Sequence, residues 1–305
     1  MSNKKILVAG ATGYLGNKIV AELLTLGVEV TAMVRASSNR SKLEEMGVSH
    51  FVVGDMMDVT SLSNAISPNY GFDAIVASAA GYTKSTKGDS PETDTIGYKN
   101  LVDATKAARI PRFILISILE CDKAQSVPHF YNKYLIERYL VEKKQPFIAL
   151  RPGAFLDQTP DYIPNKLKKG IFPTFLTGTF GMVYTSELAK YAAMAAVILP
   201  DTELNKSVDI GWDKPVNGEI LASTFEKVLG RSVKPKALVP SFVLKTILPM
   251  ISLFSENVRD MYEMIKWIGT GLYISKNPQR QKELFGELPT LEESVSHYCR
   301  DRGLI

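Results

Sequence analysis

The segment Gly10-Ala-Thr-Gly13-Tyr-Leu-Gly16 directly follows the apolar run Ile6-Leu-Val-Ala9 and opens an amphipathic stretch. Residues of this type at this spacing can cradle a phosphate. Gly10 permits a tight turn, Gly13 lets the backbone approach a pyrophosphate, and Gly16 lets the following helix pack against the strand. The N–H groups at the helix start and its positive dipole end favour an anion. Thr12, Tyr14 and Leu15, between the glycines, complete the expected cradle. The spacing is G-x-x-G-x-x-G rather than G-x-G-x-x-G, and an ordinary glycine-rich turn reads the same locally. The strand before it and the helix after it decide for a dinucleotide.

An NAD-binding chain usually carries a carboxylate for the ribose 2′-hydroxyl at the end of its second strand, about 20 residues past the turn. Here the sequence there is Val34-Arg35-Ala-Ser37-Ser38-Asn-Arg40. A guanidinium and hydroxyls suit a 2′-phosphate that a carboxylate would repel. NADP(H) is therefore the expected cofactor and NAD(H) the alternative, although a solvated basic loop would look similar. Asp55 and Met56, after a third strand, are placed to face the adenine; Asp55 equally suits a cap for the helix that follows.

Other residues offer chemistry with less context. His129 and Lys133 fall four apart on a predicted helix, and a neutral imidazole there can give or take a proton near pH 7. A histidine in the loop at the helix start fits as well. Lys133 and Glu137 are also i,i+4 and read as an exposed ion pair. Cys121 follows the fifth strand without an activating pair of cations. Tyr162, Phe172, Phe175, Phe180 and Trp212 could line an apolar pocket or form core.

These residues need a scaffold, and the first half supplies a strand–helix rhythm. Strands are expected at Ile6 to Ala9, Val28 to Val34, His50 to Val53, Asp73 to Ala79, Arg112 to Ser117 and Phe147 to Leu150. Helices are expected over Gly13 to Leu26, Lys42 to Met46, Thr95 to Arg109 and Phe130 to Lys143. This alternation predicts an α/β fold, a doubly wound parallel sheet with its ligand crevice at the carboxyl ends of the strands. After Arg151-Pro152-Gly153 the rhythm gives way to Pro160, Pro164, Gly170, Pro173, Gly178 and Gly181. A helix over Ser186 to Ile198, a strand at Ser207 to Ile210 and a closing helix over Leu291 to Arg300 follow. The expected division is residues 1–155 as the dinucleotide-binding domain and 156–305 as a smaller, mainly helical substrate lobe. A strand near 207–211 is free to return to the main sheet.

Composition narrows the partners. The 305 residues are 45% hydrophobic and 22% charged, which is globular and not disordered. A net charge of +4 is too small and scattered for nucleic acid. Two distant cysteines and three dispersed histidines supply no disulfide framework and no metal site. The N-terminus has no signal-peptide pattern, and a cytoplasmic protein is expected. The apolar stretch Ala237 to Phe254 is interrupted by Pro240, Lys245 and Pro249 and is shorter than the ~20 residues of a spanning helix. It reads as a helix hairpin over the pocket; with no Lys/Arg-rich polar face, membrane contact is the weaker reading.

Together these residues resemble the atypical short-chain dehydrogenase/reductase proteins, in particular the NmrA-like and isoflavone-reductase-like group. The matching pieces are the glycine turn, Val34-Arg35, Val53-Gly-Asp55, Thr95-Ile-Gly97 with Asn100-Leu-Val-Asp-Ala104, Arg112-Phe-Ile-Leu-Ile-Ser117, Asn132-Lys133 with Glu137, and Leu150-Arg-Pro-Gly153. They span most of the first 155 residues. The resemblance implies that Lys133 binds the nicotinamide ribose and assists proton transfer, and that Ser117 lies beside the nicotinamide. It puts Ala79 and Ala80 under the middle of the cofactor and Pro152 and Gly153 where the chain passes the nicotinamide. The usual Tyr-x-x-x-Lys is absent, because His129 stands where the tyrosine would be. The group includes NADPH-dependent reductases of apolar carbonyls, quinones or conjugated double bonds, and also non-catalytic NADP(H)-binding sensors. The reductase is the favoured reading, with a small apolar substrate, in a monomer or homodimer; sugar-nucleotide epimerisation is disfavoured by the missing tyrosine.

Overall fold

In a computed structural model, residues 4–81, 91–158, 161–174, 178–240 and 242–305 are described. Pro160 and Phe175, named above, lie outside them. Seven strands form the main sheet: β1 (Lys5–Ala9), β2 (Glu29–Val34), β3 (His50–Val53), β4 (Ala74–Ala77), β5 (Phe113–Ile116), β6 (Phe147–Pro152) and β7 (Lys206–Ile210). Their order is β7-β6-β5-β4-β1-β2-β3. The pairs β1/β2, β1/β4, β2/β3, β4/β5 and β5/β6 are parallel. Asn205 N–H donates to the Phe147 carbonyl and Gly153 N–H to that of Ile210, which sets β7 alongside β6 in the same direction. β1, β4 and β5 read as unbroken apolar runs because both faces are covered; Ile6 to Ala9 have no exposed surface. The strand order reverses between β1 and β4, and a crevice opens there at the carboxyl ends.

Helices α1 (Tyr14–Thr25), α2 (Ser41–Glu45), α3 (Val59–Ala65), α4 (Ile96–Ala107), α5 (Pro128–Glu142) and α6 (Thr185–Val197) accompany the sheet. α1 buries Leu15, Ile19, Val20 and Leu23, a 3.6-residue stripe in which each buried aliphatic is worth about 1.5–3 kcal/mol. It packs against α6, whose buried face is mostly alanine and lets the two helices approach closely. Arg112 ties the end of α6 down. Its guanidinium donates to the carbonyls of Ala195 and Leu199 at 2.9 and 2.7 Å and to the Asp201 carboxylate at 2.6 Å. The periodicity missed α3, which is short and rich in serine and threonine. Its cap is Asp58, accepting from the Thr60 and Ser61 N–H groups, and not Asp55.

The chain divides into two compact units. One comprises residues 1–121, 129–151 and 185–208, the other 122–128, 152–184 and 209–305. A single cut near residue 155 therefore does not separate them, because α6 and most of β7 return to the first unit. The second unit holds two short parallel strand pairs, Ala154–Phe155 with Met182–Val183 and Ile171–Thr174 with Lys234–Ala237. Its core takes three of the aromatic residues that sequence put forward for a pocket. Trp212 is buried and donates to Ser294 Oγ at 3.1 Å, Phe172 stacks on Phe225 at 5.3 Å, and Phe180 is buried. Tyr162 is exposed.

Candidate functional site

The glycine turn lies where the strand order reverses. Gly10 has φ +84°, the left-handed region that favours glycine, and a Cβ there would lie 2.6 Å from the Ala79 nitrogen. The residues after β1 and β4 are thus pressed together. Ser78 reinforces this, its N–H and hydroxyl both donating to the Ala9 carbonyl, at 3.0 and 3.2 Å. Gly16 is needed for a different reason from the one expected. Its Cβ would lie 2.0 Å from the Gly10 carbonyl oxygen, so it accommodates the turn and not the strand. Gly13 is exposed and precedes α1 in extended conformation, with no side chain capping the first turn.

Thr12 and Tyr14 are exposed, whereas Leu15 is buried and can offer a ligand only its backbone. Asn17, which sequence reasoning passed over, is buried and donates from Nδ2 to the carbonyls of Ala11 and Gly13 at 2.9 and 3.0 Å. A poor helix former in a first turn was the available signal. An open, uncapped helix start beside a glycine-only approach fits a pyrophosphate.

At the end of β2, Arg35 is half-buried and Ser37 exposed. Ser38 closes the turn, its N–H donating to the Arg35 carbonyl at 2.9 Å and its Oγ accepting from the Arg35 N–H at 3.2 Å. Arg40 is engaged elsewhere, against the Phe51 ring and Glu44. Asp55 accepts from the Met57 N–H at 2.9 Å. Met56 is buried and its carbonyl accepts from Asn100 Nδ2 at 3.0 Å.

α5 departs most from the sequence reading. Lys133 and Glu137 do not form an exposed pair; both are buried and each has a partner from another element. Lys133 Nζ lies 2.9 Å from Asp94 Oδ1 and 4.1 Å from the centroid of the Tyr98 ring. Asp94 also accepts from the Gly81 N–H at 3.0 Å, and Tyr98 donates to the Ala79 carbonyl at 2.7 Å. Lys133 therefore faces the segment after β4, beside Ala79, and not bulk water. Ala80 is exposed on that segment. Burial alone would lower the Lys133 ammonium, but Tyr98 and Asp94 outweigh it and hold the group above its ordinary value. Burial likewise pushes the Tyr98 phenol up. Asp94 and Tyr98 carry no local signature, since only the fold brings them to Lys133.

Glu137 is the centre of a second cluster. It accepts from Ser117 Oγ at 2.6 Å and from both Nε and Nη2 of Arg151, at 2.9 and 2.6 Å. Cys121 Sγ is buried 3.6 Å from the same carboxylate. Ser117 is thus committed to Glu137. His129, in the first turn of α5, packs edge-on against Phe130. Burial, with the Lys133 charge adding to it against the opposing pull of Asp94, lowers the imidazole to about 4. It is neutral at pH 7. In the second unit Pro152 and Gly153 are buried, and a Cβ on Gly153 would lie 2.4 Å from the Gly181 carbonyl oxygen. That close backbone approach accounts for the glycine.

The photosystem II assembly factor Ycf39 of Synechocystis sp. is 24% identical over 303 residues, covering 96% of this chain and 90% of that protein. The NADPH-dependent quinone oxidoreductase QOR2 of Escherichia coli, solved with NADPH, superposes with a TM-score of 0.75 at 21% identity, over 96% of this chain and 99% of that one. The triphenylmethane reductase of Citrobacter sp., solved with NADP(H), gives 0.76 at 21% identity with the same coverage. At these identities the structural likeness is one of fold. The family model of the NmrA-like family matches residues 2–295, and the chain belongs to that family.

Proposed function

We propose that the chain binds NADP(H), with NAD(H) a weaker alternative, in the crevice beyond β1 and β4, and that it reduces a small apolar acceptor. The observation that carries this reading is the glycine turn locked against Ala79 at the switch point, with an uncapped helix start behind it. Arg35, where a carboxylate would select NAD, supports a 2′-phosphate. The fold shared with two proteins solved with NADPH or NADP(H) agrees with it. When bound, the dinucleotide supplies the hydride.

The chain's own contribution is orientation. Gly13 admits the phosphates while Gly10 and Gly16 let the turn close behind them, Thr12, Tyr14 and Leu15 line them through backbone, and Ala79 and Ala80 lie under the middle of the ligand. Asp55 and Met56 border the adenine. Lys133, fixed by Asp94 and Tyr98, has its charge balanced by a carboxylate, so its part beside the ribose is to position the cofactor. Ser117 and His129 are poor acids, because one is bonded to a carboxylate and the other is neutral at pH 7. An acceptor whose reduced form is stable as an anion, such as a quinone, suits such a site better than a simple carbonyl.

A second reading, a non-catalytic NADP(H) sensor, draws on the same commitment of polar groups and on the similarity to an assembly factor. Two measurements separate them. Fluorescence titration should give tighter binding of NADPH than of NADH, and NADPH should then be consumed in the presence of a quinone. Binding without consumption of any acceptor favours the sensor; no binding refutes both.

A further inference from the structure

Helical backbone runs through Val243–Ile247, wound as a π-helix, into Leu248–Ser252. Leu248 and Ser252, four residues apart, are buried and mark the inward side. The outward side of a surface helix is ordinarily polar. Here Phe242 at its start, Ile247, Met250 and Ile251 within it and Leu253 and Phe254 in the turn that follows are all exposed, Leu253 by 76% and Phe254 by 90%. A cluster of this size marks a surface that something covers.

The charges around it say what. From Arg231 to Asp260 the chain holds Arg231, Lys234, Lys236, Lys245 and Arg259 against Glu256 and Asp260, an excess of three positive charges, with Glu256 already paired to Arg259. Arg231, Lys234 and Lys236 precede the helical part and only Lys245 lies within it, so its polar face is not rich in cations, which is why the sequence reading discounted it. We propose that this segment docks on an anionic lipid bilayer, its apolar side chains entering the interface and its cations meeting the headgroups. Basic residues beside exposed Phe, Leu, Ile and Met are the pattern that binds such a surface. Pro240 and Pro249 interrupt the segment, and no helix among the described residues is long and apolar enough to cross a membrane, so the contact is peripheral.

The test is flotation of the full chain with vesicles of phosphatidylglycerol and phosphatidylcholine in equal parts. The chain should float with them, and less with pure phosphatidylcholine. Replacing Leu253→Ser together with Phe254→Ser should cut the bound fraction by ~10-fold or more. Lys234→Glu with Lys236→Glu, or raised salt, should weaken binding several-fold. Leu253 and Phe254 are so exposed that their loss leaves no cavity, and circular dichroism checks that the variant is folded. A wild-type chain that stays with neither vesicle, or a Leu253→Ser/Phe254→Ser variant that floats like wild type, overturns the proposal. So does a dimer, seen by light scattering, that those serines dissolve while the wild type ignores vesicles.

Discussion

The glycine turn after β1 and the charged face of α5 belong to the same unit and are built in opposite ways. In the turn, backbone meets backbone: Gly10 against Ala79, and Gly16 against the Gly10 carbonyl. What matters is the absence of a side chain, which a sequence displays directly. On α5, Lys133 and Glu137 are four residues apart, yet each reaches a partner on another element, Asp94 in one case and Arg151 in the other. Helical spacing makes a pair available, worth only tenths of a kcal/mol when exposed. Burial makes full satisfaction of each charge mandatory, and the fold supplies the partners.

At Gly16 the turn has no room for a side chain. Gly16→Val should destabilise the protein by about 4 kcal/mol or more, read by urea unfolding, because a backbone carbonyl occupies the Cβ position. Gly13→Val, whose Cβ would meet only the Gly10 carbonyl oxygen at 3.2 Å, should leave a folded protein that no longer binds NADPH in calorimetry. Normal binding would show that the phosphates lie elsewhere.

On the α5 side, Asp94→Ala strands a buried ammonium and should cost about 3–5 kcal/mol in the same unfolding measurement. Adding Lys133→Met should recover most of that loss. If Asp94→Ala is nearly neutral, Lys133 has another partner and its position is not set by the pair.

A smaller effect concerns pH. The folded value of His129, about 4, lies below the ordinary 6.5, so the unfolded chain binds the proton more readily between them. Stability should be undiminished by this group above pH 6.5 and should fall as pH drops towards 4, by up to about 3 kcal/mol. Denaturation midpoints across that window should flatten in His129→Gln. An unchanged slope would mean that His129 is not the group responsible.

The smallest change is expected from Arg35→Ala, which should remove an NADPH-over-NADH preference of about 1–3 kcal/mol while sparing NADH affinity. Equal affinities in the wild type would break the charge argument at β2.

By itself the sequence determined the doubly wound sheet, because β1, β4 and β5 are apolar runs buried on both faces and turn glycines punctuate them. It also marked the turn, where residue type and backbone requirement coincide. The family resemblance pointed to Lys133. Neither reading marked Asp94 or Tyr98, which lie 39 and 35 positions from Lys133 on other elements, and Arg151, part of the Leu150–Gly153 match, was assigned no partner. The tertiary structure alone decided that Ser117 is held by Glu137, that Gly153 yields to Gly181, and that Thr185–Val208 returns to the first unit. It also decided that Leu253 and Phe254 face outward. An apolar side chain favours burial, but whether a neighbour is there to bury it depends on packing, which joins residues distant in the chain.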